Sequence, residues 1–385
     1  MFSERNNNKM NITYRKFMNF LLIIIGTINI MMTSQLNLQI SYNIRQRMTV
    51  FFLVVFILLY LVSLIIEPFQ LVDICFLFLI LFIVFLSQKN YVINAGTLTL
   101  VYSRLSIKDI ISNYKYSILY STLAVVFLSL SGILSIYDPQ GTGLSLGFNN
   151  VNQLGFYLAF LAILFTFRIG EQNNMITLKY NRYNITFLVF VVIFEFLIIQ
   201  DNTAGVMILF FYLASLFKTI ANYLKPLIII LPIVLTIFAY WAGFHYFQYH
   251  FLETIDSIVT RRIFIWNHYL TSFPLTKFGT NWQADPNFIN GFFDGAYIYY
   301  GIFYGIVILS VLLIGLALTN YKLAKSNQVI LLILIISLEI VGFSENALFA
   351  YVQSPGLIFA FLGYFPGYFR RDNTIEENTL YRRRS

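Results

Sequence analysis

The chain has 385 residues, of which 58% are hydrophobic and only 11% are charged, and its formal net charge is +8. A soluble domain carries about 25% charged residues, so this composition excludes a water-soluble protein. The excess of Lys and Arg is typical of cytoplasmic membrane loops, and no polar segment is long enough to be a basic nucleic-acid-binding domain.

Apolar runs that approach or reach the length needed to cross a bilayer recur along the whole chain. Eleven candidate helices lie near residues 17–33, 48–66, 71–86, 117–137, 151–169, 184–200, 203–221, 226–244, 295–319, 328–345 and 347–364. Part of 91–112 is a candidate for a twelfth. Since no repeat or linker interrupts the series, the sequence predicts an all-α, polytopic membrane helix bundle that forms a single domain over 1–385.

Basic residues mark every second connection between these helices. Such residues accumulate in cytoplasmic loops, which places these connections and the C-terminus in the cytoplasm. In chain order they are Lys89, Arg104, Lys108, Lys115, Arg168, Lys179, Arg182, Lys218, Lys225, Lys322, Lys325, Arg370, Arg371, Arg382, Arg383 and Arg384. Basic residues near the start also favour a cytoplasmic N-terminus. An even number of spans is then required, so we expect a twelfth crossing before residue 117.

Four polar segments fall on the extracytoplasmic side of this topology. They are an asparagine-rich loop at 147–153, the link "QDNTAG" at 200–205, "SEN" at 344–346 and one long loop at 245–294. Asparagine is unfavourable in helix interiors, yet Asn150 and Asn152 stand where a predicted span begins. They are either helix caps and turn formers or ligand contacts.

The long loop carries adjacent arginines at Arg261 and Arg262. An anionic ligand would supply the partner that two neighbouring guanidinium groups require, and lipid headgroups are the alternative partner. His245, His250 and Glu253 match no standard metal-binding spacing, so we expect no metal site.

Two acidic residues, Glu195 and Glu339, lie inside predicted spans, toward their outer ends. Ionisable groups in a bilayer are costly and usually face a bundle interior or a wet cavity. They are either hydrogen-bond partners of other helices or parts of a ligand site. With the arginines, they predict a polar cavity that opens outward beneath the long loop.

Four short motifs follow one another along the chain from residue 152 onward. They are "NQLGFY" (152–157), "RIFIW" (262–266), "PLTKFGTNW" (274–282) and "DGAYIYYGIFYGI" (294–306). In order and spacing they resemble motifs of the bacterial O-antigen polymerase and ligase group, the Wzy-type polysaccharide polymerases, which are multi-span glycosyltransferases of the GT-C kind. The resemblance covers most of the chain from the fourth predicted helix onward.

The sequence departs from that group at several positions. Asn281 replaces a glycine, and the link "DNTAG" lacks the arginine that many members have there. Asp294 stands where ligases often have histidine, and Gly295 where asparagine is common.

The resemblance implies transfer of a growing glycan from its polyprenyl diphosphate to a hydroxyl of an incoming lipid-linked repeat unit. It implies that Arg262, and secondly Arg261, stabilises the leaving diphosphate, because arginine forks suit phosphate oxygens. Asp294 is the candidate base, with Glu195 and Glu339 as alternatives for the base and for substrate contacts. Residues expected to bind sugar are Asn150, Asn152, Asp201, Trp266 and Tyr297.

The resemblance also implies a location and a set of partners. We expect a multi-pass protein of the bacterial cytoplasmic membrane with an outward-facing site, working without cofactor or metal. Its expected partners are the lipid-linked oligosaccharide, membrane lipid, and flippase and chain-length regulator proteins, with no nucleic acid. The product would be capsule, exopolysaccharide or O-antigen.

Two rival functions stay open. A ligase would move the finished glycan to another acceptor. A lipid-linked oligosaccharide flippase or other transporter belongs to a different class, and transporters often have repeated halves and broken helices. The sequence shows neither feature, which favours an enzyme.

Overall fold

A computed structural model describes residues 2–64, 69–87, 89–139, 143–169, 176–199, 202–217, 223–280, 293–366 and 368–370. Within these ranges the chain is predominantly α-helical with only two short strands, which agrees with the predicted all-α class. Five helices in the described part are long and apolar enough to cross a membrane. They are Thr13–Met31, Tyr42–Ser63, Arg182–Ile199, Lys225–Phe244 and Ile306–Lys325.

The chain divides into two compact units. The prediction of a single transmembrane domain stays a prediction. The first unit comprises Met1–Leu77, Ile93–Ile169 and Lys179–Asp201, and the second comprises Phe78–Val92, Gly170–Leu178 and Asn202–Ser385.

The first unit holds the elements up to the eighth helix. They are α1 (Phe2–Met31), α2 (Leu36–Gln39), α3 (Tyr42–Ser63), the start of α4 (Leu71–Ser87), most of α5 (Asn90–Tyr102), α6 (Ile107–Leu130), α7 (Val151–Phe165), β1 (Phe167–Ile169) and α8 (Arg182–Phe194). A π-helical turn, Glu195–Ile199, continues α8.

Helices α1 and α6 form the centre of the first unit. At one end, the Asn19 amide donates to Asp109 at 2.6 Å and accepts from the Asn113 amide at 3.0 Å.

Helix α6 begins ten residues earlier than the predicted span at 117–137, because Ser106 and Asp109 cap it reciprocally. Hydropathy misses such polar first turns. The helix ends at Leu130, just before Gly132 with a φ of 79°.

The second unit holds the remaining elements. They are β2 (Ile176–Leu178), α9 (Asn202–Leu216), α10 (Lys225–Phe244), α11 (His250–Ile258), α12 (Arg262–Ser272), α13 (Ala296–Phe303), α14 (Ile306–Lys325), α15 (Val329–Ser344) and α16 (Gly356–Leu362). Short 3₁₀ turns lie at Tyr246–Gln248, Asn346–Leu348 and Tyr368–Arg370.

A short helix lies where the basic N-terminus predicts an additional crossing, and the crossing itself stays a prediction. Helix α5 has 13 residues, and Arg104, just after it, forms a buried ion pair with Asp73 at the start of α4. The chain therefore reverses direction between α4 and α5.

Lys89, which we expected in a cytoplasmic connection, lies in the link between these two helices. The Lys89 amino group lies 4.0 Å from the centre of the Phe303 ring and 3.4 Å from the Thr280 carbonyl oxygen, which belongs to the predicted outer loop. Partial burial at this position lowers the pKa of Lys89.

The predicted span at 295–319 is two helices rather than one. Helix α13 ends at Phe303, and α14 begins at Ile306 after Gly305. The backbone groups released by the break bond to the preceding segment, since Thr280 N donates to Ile302 O at 3.0 Å and Ile306 N donates to Thr276 O at 3.1 Å. The amino-acid sequence did not indicate this break in the helix.

The last predicted span, 347–364, is also shorter than expected. Only Gly356–Leu362 is α-helical in this range. The Lys322 amino group donates to the carbonyl oxygens of Gly363 and Phe365 at 2.6 and 2.9 Å. Lys225 donates to the Asn327 amide oxygen at 3.1 Å, so the basic residues of these two connections lie at one end of the unit. Lys218, Arg371, Arg382, Arg383 and Arg384 lie outside the described residues.

Candidate functional site

The guanidinium group of Arg262 lies between two carboxylates. Its Nη2 atom is 2.8 Å from Glu345 Oε1 and 3.1 Å from Asp294 Oδ2. The side chain of Arg262 is only 8% exposed, that of Glu345 11% and that of Asp294 15%. The structure therefore brings together Arg262 and Asp294, both predicted site residues. Glu345 was not among the predicted residues, although its position directly after an apolar helix, in "SEN", was a usable signal.

A buried carboxylate fixes the start of α12, on which Arg262 is the first residue. Asp256 Oδ1 accepts from the backbone N–H groups of Ile263 and Phe264 at 2.7 and 3.2 Å. Its Oδ2 accepts from the Tyr246 hydroxyl at 3.0 Å. Burial, and then the Asp256 carboxylate, raise the pKa of Tyr246 to about 12, so the phenol remains a donor at neutral pH. Asp256 lies six positions before Arg262 in the sequence, a spacing that matches no capping motif.

The turn before α12 directs the two arginines differently. Thr260 and Arg261 both have left-handed backbone conformations, with φ of 52° and 61°, which non-glycine residues adopt only when the surroundings enforce it. Here the Arg261 N–H donates to the Asp256 carbonyl oxygen at 2.8 Å. As a result Arg261 is exposed, whereas its neighbour Arg262 is 6% exposed.

Trp266 and Asn346 hold Asp294 in place. The indole Nε1 donates to the Asp294 carbonyl oxygen at 2.9 Å, and the Asn346 amide donates to Asp294 Oδ1 at 3.2 Å. The indole packs edge-on against Phe343, with centroids 4.8 Å apart, and is fully buried. Trp266 therefore supports the site instead of presenting a face to a sugar.

Tyr297 and Glu339 belong to a buried polar cluster between helices. The Tyr297 hydroxyl donates to the Glu339 carbonyl oxygen at 2.8 Å, and the Asn320 amide donates to Glu339 Oε1 at 2.8 Å. Tyr297 is 1% exposed and Glu339 is 0% exposed. For Glu339 the structure thus shows the interhelical hydrogen-bond role that we left open as an alternative.

The remaining predicted site residues are in the first unit. Asn150 is the N-cap of α7, because its side-chain oxygen accepts from the Gln153 N–H at 2.7 Å, and Asn152 is half-buried in the first turn of that helix. Glu195 is fully buried in the π-helical turn. Asp201 lies outside the described residues.

The arrangement around Arg262 has a formal charge of −1, from one guanidinium and two carboxylates. Such a cluster is stable only with close geometry and hydrogen bonds to each member, which Asn346 and the short contacts supply. His250 and Glu253 form only an exposed pair at 2.7 Å, and no group of three potential metal ligands occurs among the described residues. The arrangement offers a carboxylate, Asp294, that Arg262 and Asn346 hold in place and that can accept a proton.

Comparison with known proteins adds no assignment. No protein family, no curated protein and no solved structure matches the chain.

Proposed function

We propose that the protein is a membrane polysaccharide polymerase that joins polyprenyl-diphosphate-linked oligosaccharide repeats into a surface glycan. The sequence motifs suggested this activity. The observation that carries the proposal is the pairing of Arg262 with Asp294 at 3.1 Å, since these are the two residues that the motifs mark for chemistry.

The charge arrangement suggests how the arginines divide the work. The leaving diphosphate gains negative charge in the transition state, so a preorganised cation beside it lowers the barrier. Arg262 already contacts two carboxylates, whereas Arg261 is exposed. In our proposal Arg261 therefore contacts the diphosphate, and Arg262, which we first expected in that role, positions Asp294.

Asp294 is the proposed base. The acceptor hydroxyl gives its proton to the Asp294 carboxylate while its oxygen bonds to the anomeric carbon of the donor sugar. The bond from that carbon to the diphosphate oxygen breaks, and polyprenyl diphosphate leaves with the electron pair. A positioned base of this kind contributes about 10²–10⁴-fold to a rate.

Deletion of the gene, followed by size analysis of the surface glycan, tests the activity. We expect loss of long chains with single repeats remaining, and the same phenotype in complemented Arg261→Ala, Arg262→Ala and Asp294→Asn strains with normal protein levels. His250→Ala, a change to an exposed residue of the same loop, is the control and should restore long chains. If the Asp294→Asn strain still made long polymer, Asp294 would not be the base. If the Arg262→Ala strain still made long polymer, the assignment as a polymerase would be refuted.

The same experiment separates the rivals. Full-length polymer left on its lipid would indicate a ligase. Lipid-linked repeats left facing the cytoplasm would indicate a flippase, and the break between α13 and α14 is the observation that favours this class, because transporters often build sites from broken helices.

A further inference from the structure

A cavity of about 260 Å³ lies in the second unit between α9, α10 and α15, with the turn after α11 at one side. Its walls are almost entirely apolar. They are formed by Thr203, Val206, Leu235, Phe238, Val259, Ile340, Val341, Phe343 and Ser344. Apolar cavities of roughly 150 Å³ stay dry and take up apolar molecules, so a larger one with these walls is suited to hydrocarbon.

The cavity opens toward the apolar outer surface of the helices. Val206 lines it and is nevertheless 46% exposed, and Val234 and Ile237 on the neighbouring α10 are 43% and 64% exposed. Helix α10 is one of the five helices that are long and apolar enough to cross a membrane. In a bilayer, the groups that reach such an opening are lipid chains.

The inner wall of the cavity is aromatic. The rings of Phe238 and Phe343 stack with centroids 5.7 Å apart, and Phe343 also contacts the Trp266 indole. The polar atoms of the lining side chains are the Thr203 and Ser344 hydroxyls, which lie 3.4 Å from each other. This composition fits a chain without polar groups.

The cavity also adjoins the Arg262 cluster. Ser344 lines the cavity, and the next residue, Glu345, contacts Arg262 at 2.8 Å. On another side Val259 lines the cavity two residues before the exposed Arg261. An occupant of the cavity would therefore pack against the turn that leads to Arg261 and against the helix end that leads to Glu345, the partner of Arg262.

We propose that this cavity binds one acyl chain of a bilayer phospholipid, which enters beside Val206 and supports the helix ends that carry Glu345 and Arg261. The occupant is an acyl chain because acyl chains are the surrounding medium and greatly outnumber any other membrane-borne hydrocarbon, so mass action favours them. The proposal does not depend on the polymerase activity.

The test uses full-length protein in nanodiscs that contain phosphatidylglycerol with a photoreactive diazirine in mid-chain. After illumination we expect cross-links on peptides of α9 and α15. Val206→Phe should reduce these cross-links at least fivefold, and Val206→Leu should reduce them less, because the smaller side chain fills less of the cavity. Val234→Phe, the same change at a similarly exposed position outside the cavity lining, should leave them unchanged.

Two results would overturn the proposal. One is equal labelling of the α9 and α15 peptides in the wild type, Val206→Leu and Val206→Phe proteins. The other is loss of the label when a polyisoprenyl phosphate is added at a small fraction of the phospholipid, which would show an isoprenoid-selective site. The graded pair of variants keeps the test decisive if Val206→Phe fails to fold, and neither readout requires polymerase activity.

Discussion

Gly279 and Gly305 face each other so closely that neither position has room for a β-carbon. A β-carbon on Gly305 would overlap the Gly279 nitrogen and the Lys277 carbonyl oxygen, and one on Gly279 would overlap the Phe303 carbonyl group. Both have positive φ, at 86° and 96°. This approach allows the segment before the break to bond to the free backbone groups at the start of α14, so the two glycines make the broken helix possible.

Gly305→Ala should therefore destabilise the protein strongly. Its φ of 96° and ψ of 160° fall in a region that is essentially restricted to glycine. Strain of about 1–3 kcal/mol adds to overpacking of about 1–3 kcal/mol, so we expect a loss of roughly 3 kcal/mol or more. The measurement is thermal unfolding of the purified protein in detergent.

Gly132→Ala is the matched control for that change. Gly132 also has a positive φ, 79°, but nothing lies within 4 Å of a β-carbon there, so only the conformational cost of about 1–2 kcal/mol applies. Equal destabilisation by the two alanines would mean that the contact with Gly279 contributes nothing.

Removing Arg262 should cost more than removing Glu345. Arg262→Met leaves the Asp294 and Glu345 carboxylates together without a cation, and breaking a buried pair in this way costs about 3–5 kcal/mol. Glu345→Gln leaves the Arg262–Asp294 pair intact, so we expect a loss of about 1 kcal/mol. Thermal or chemical unfolding of both variants measures the difference.

The double variant Arg262→Met/Glu345→Gln completes the cycle. Without Arg262, the carboxylates of Asp294 and Glu345 repel each other, and the second change removes one of them. The double variant should therefore be more stable than Arg262→Met alone, with a coupling free energy of about 0.5–3 kcal/mol. Simple additivity of the two single changes would argue that the side chains do not interact in the membrane-embedded protein.

Variants of Asn150 can distinguish a role as the N-cap of α7 from a role in binding sugar. Asn150→Ala removes the bond to the Gln153 N–H and should cost about 1 kcal/mol, whereas Asn150→Asp keeps an N-cap acceptor and should retain wild-type stability. If the residue is only a cap, the aspartate variant also supports full-length glycan. Normal stability with shortened glycan in that variant would show that the amide itself contacts the substrate.

The position of Lys89 can be checked by labelling from the two sides of the membrane. In a Cys75→Ser background, which removes the one native cysteine, Lys89→Cys should react with an impermeant maleimide added outside the cell. Lys108→Cys should react only after the membrane is opened, because α5 separates the two positions. Reaction of both from the same side would exclude α5 as a crossing.

The amino-acid sequence by itself determined the all-α class and the approximate positions of the helices, and it marked Arg262 and Asp294 as candidate site residues. These follow from local properties: transfer of contiguous apolar segments out of water, and short motifs along one stretch of chain. The basic residues near the start also led us to expect a further crossing before residue 117, although they could not place Lys89.

Only the tertiary structure decided which side chains meet. Glu345 pairs with Arg262 across 83 residues, Gly279 meets Gly305, and the half-buried Lys89 lies over Phe303. Packing also buried the side chains of Trp266 and Tyr297, and it left Arg261 exposed while burying its neighbour Arg262. Such contacts depend on how helices distant in sequence pack, and the free energy of transferring each segment into the membrane is nearly the same whichever neighbours it finds.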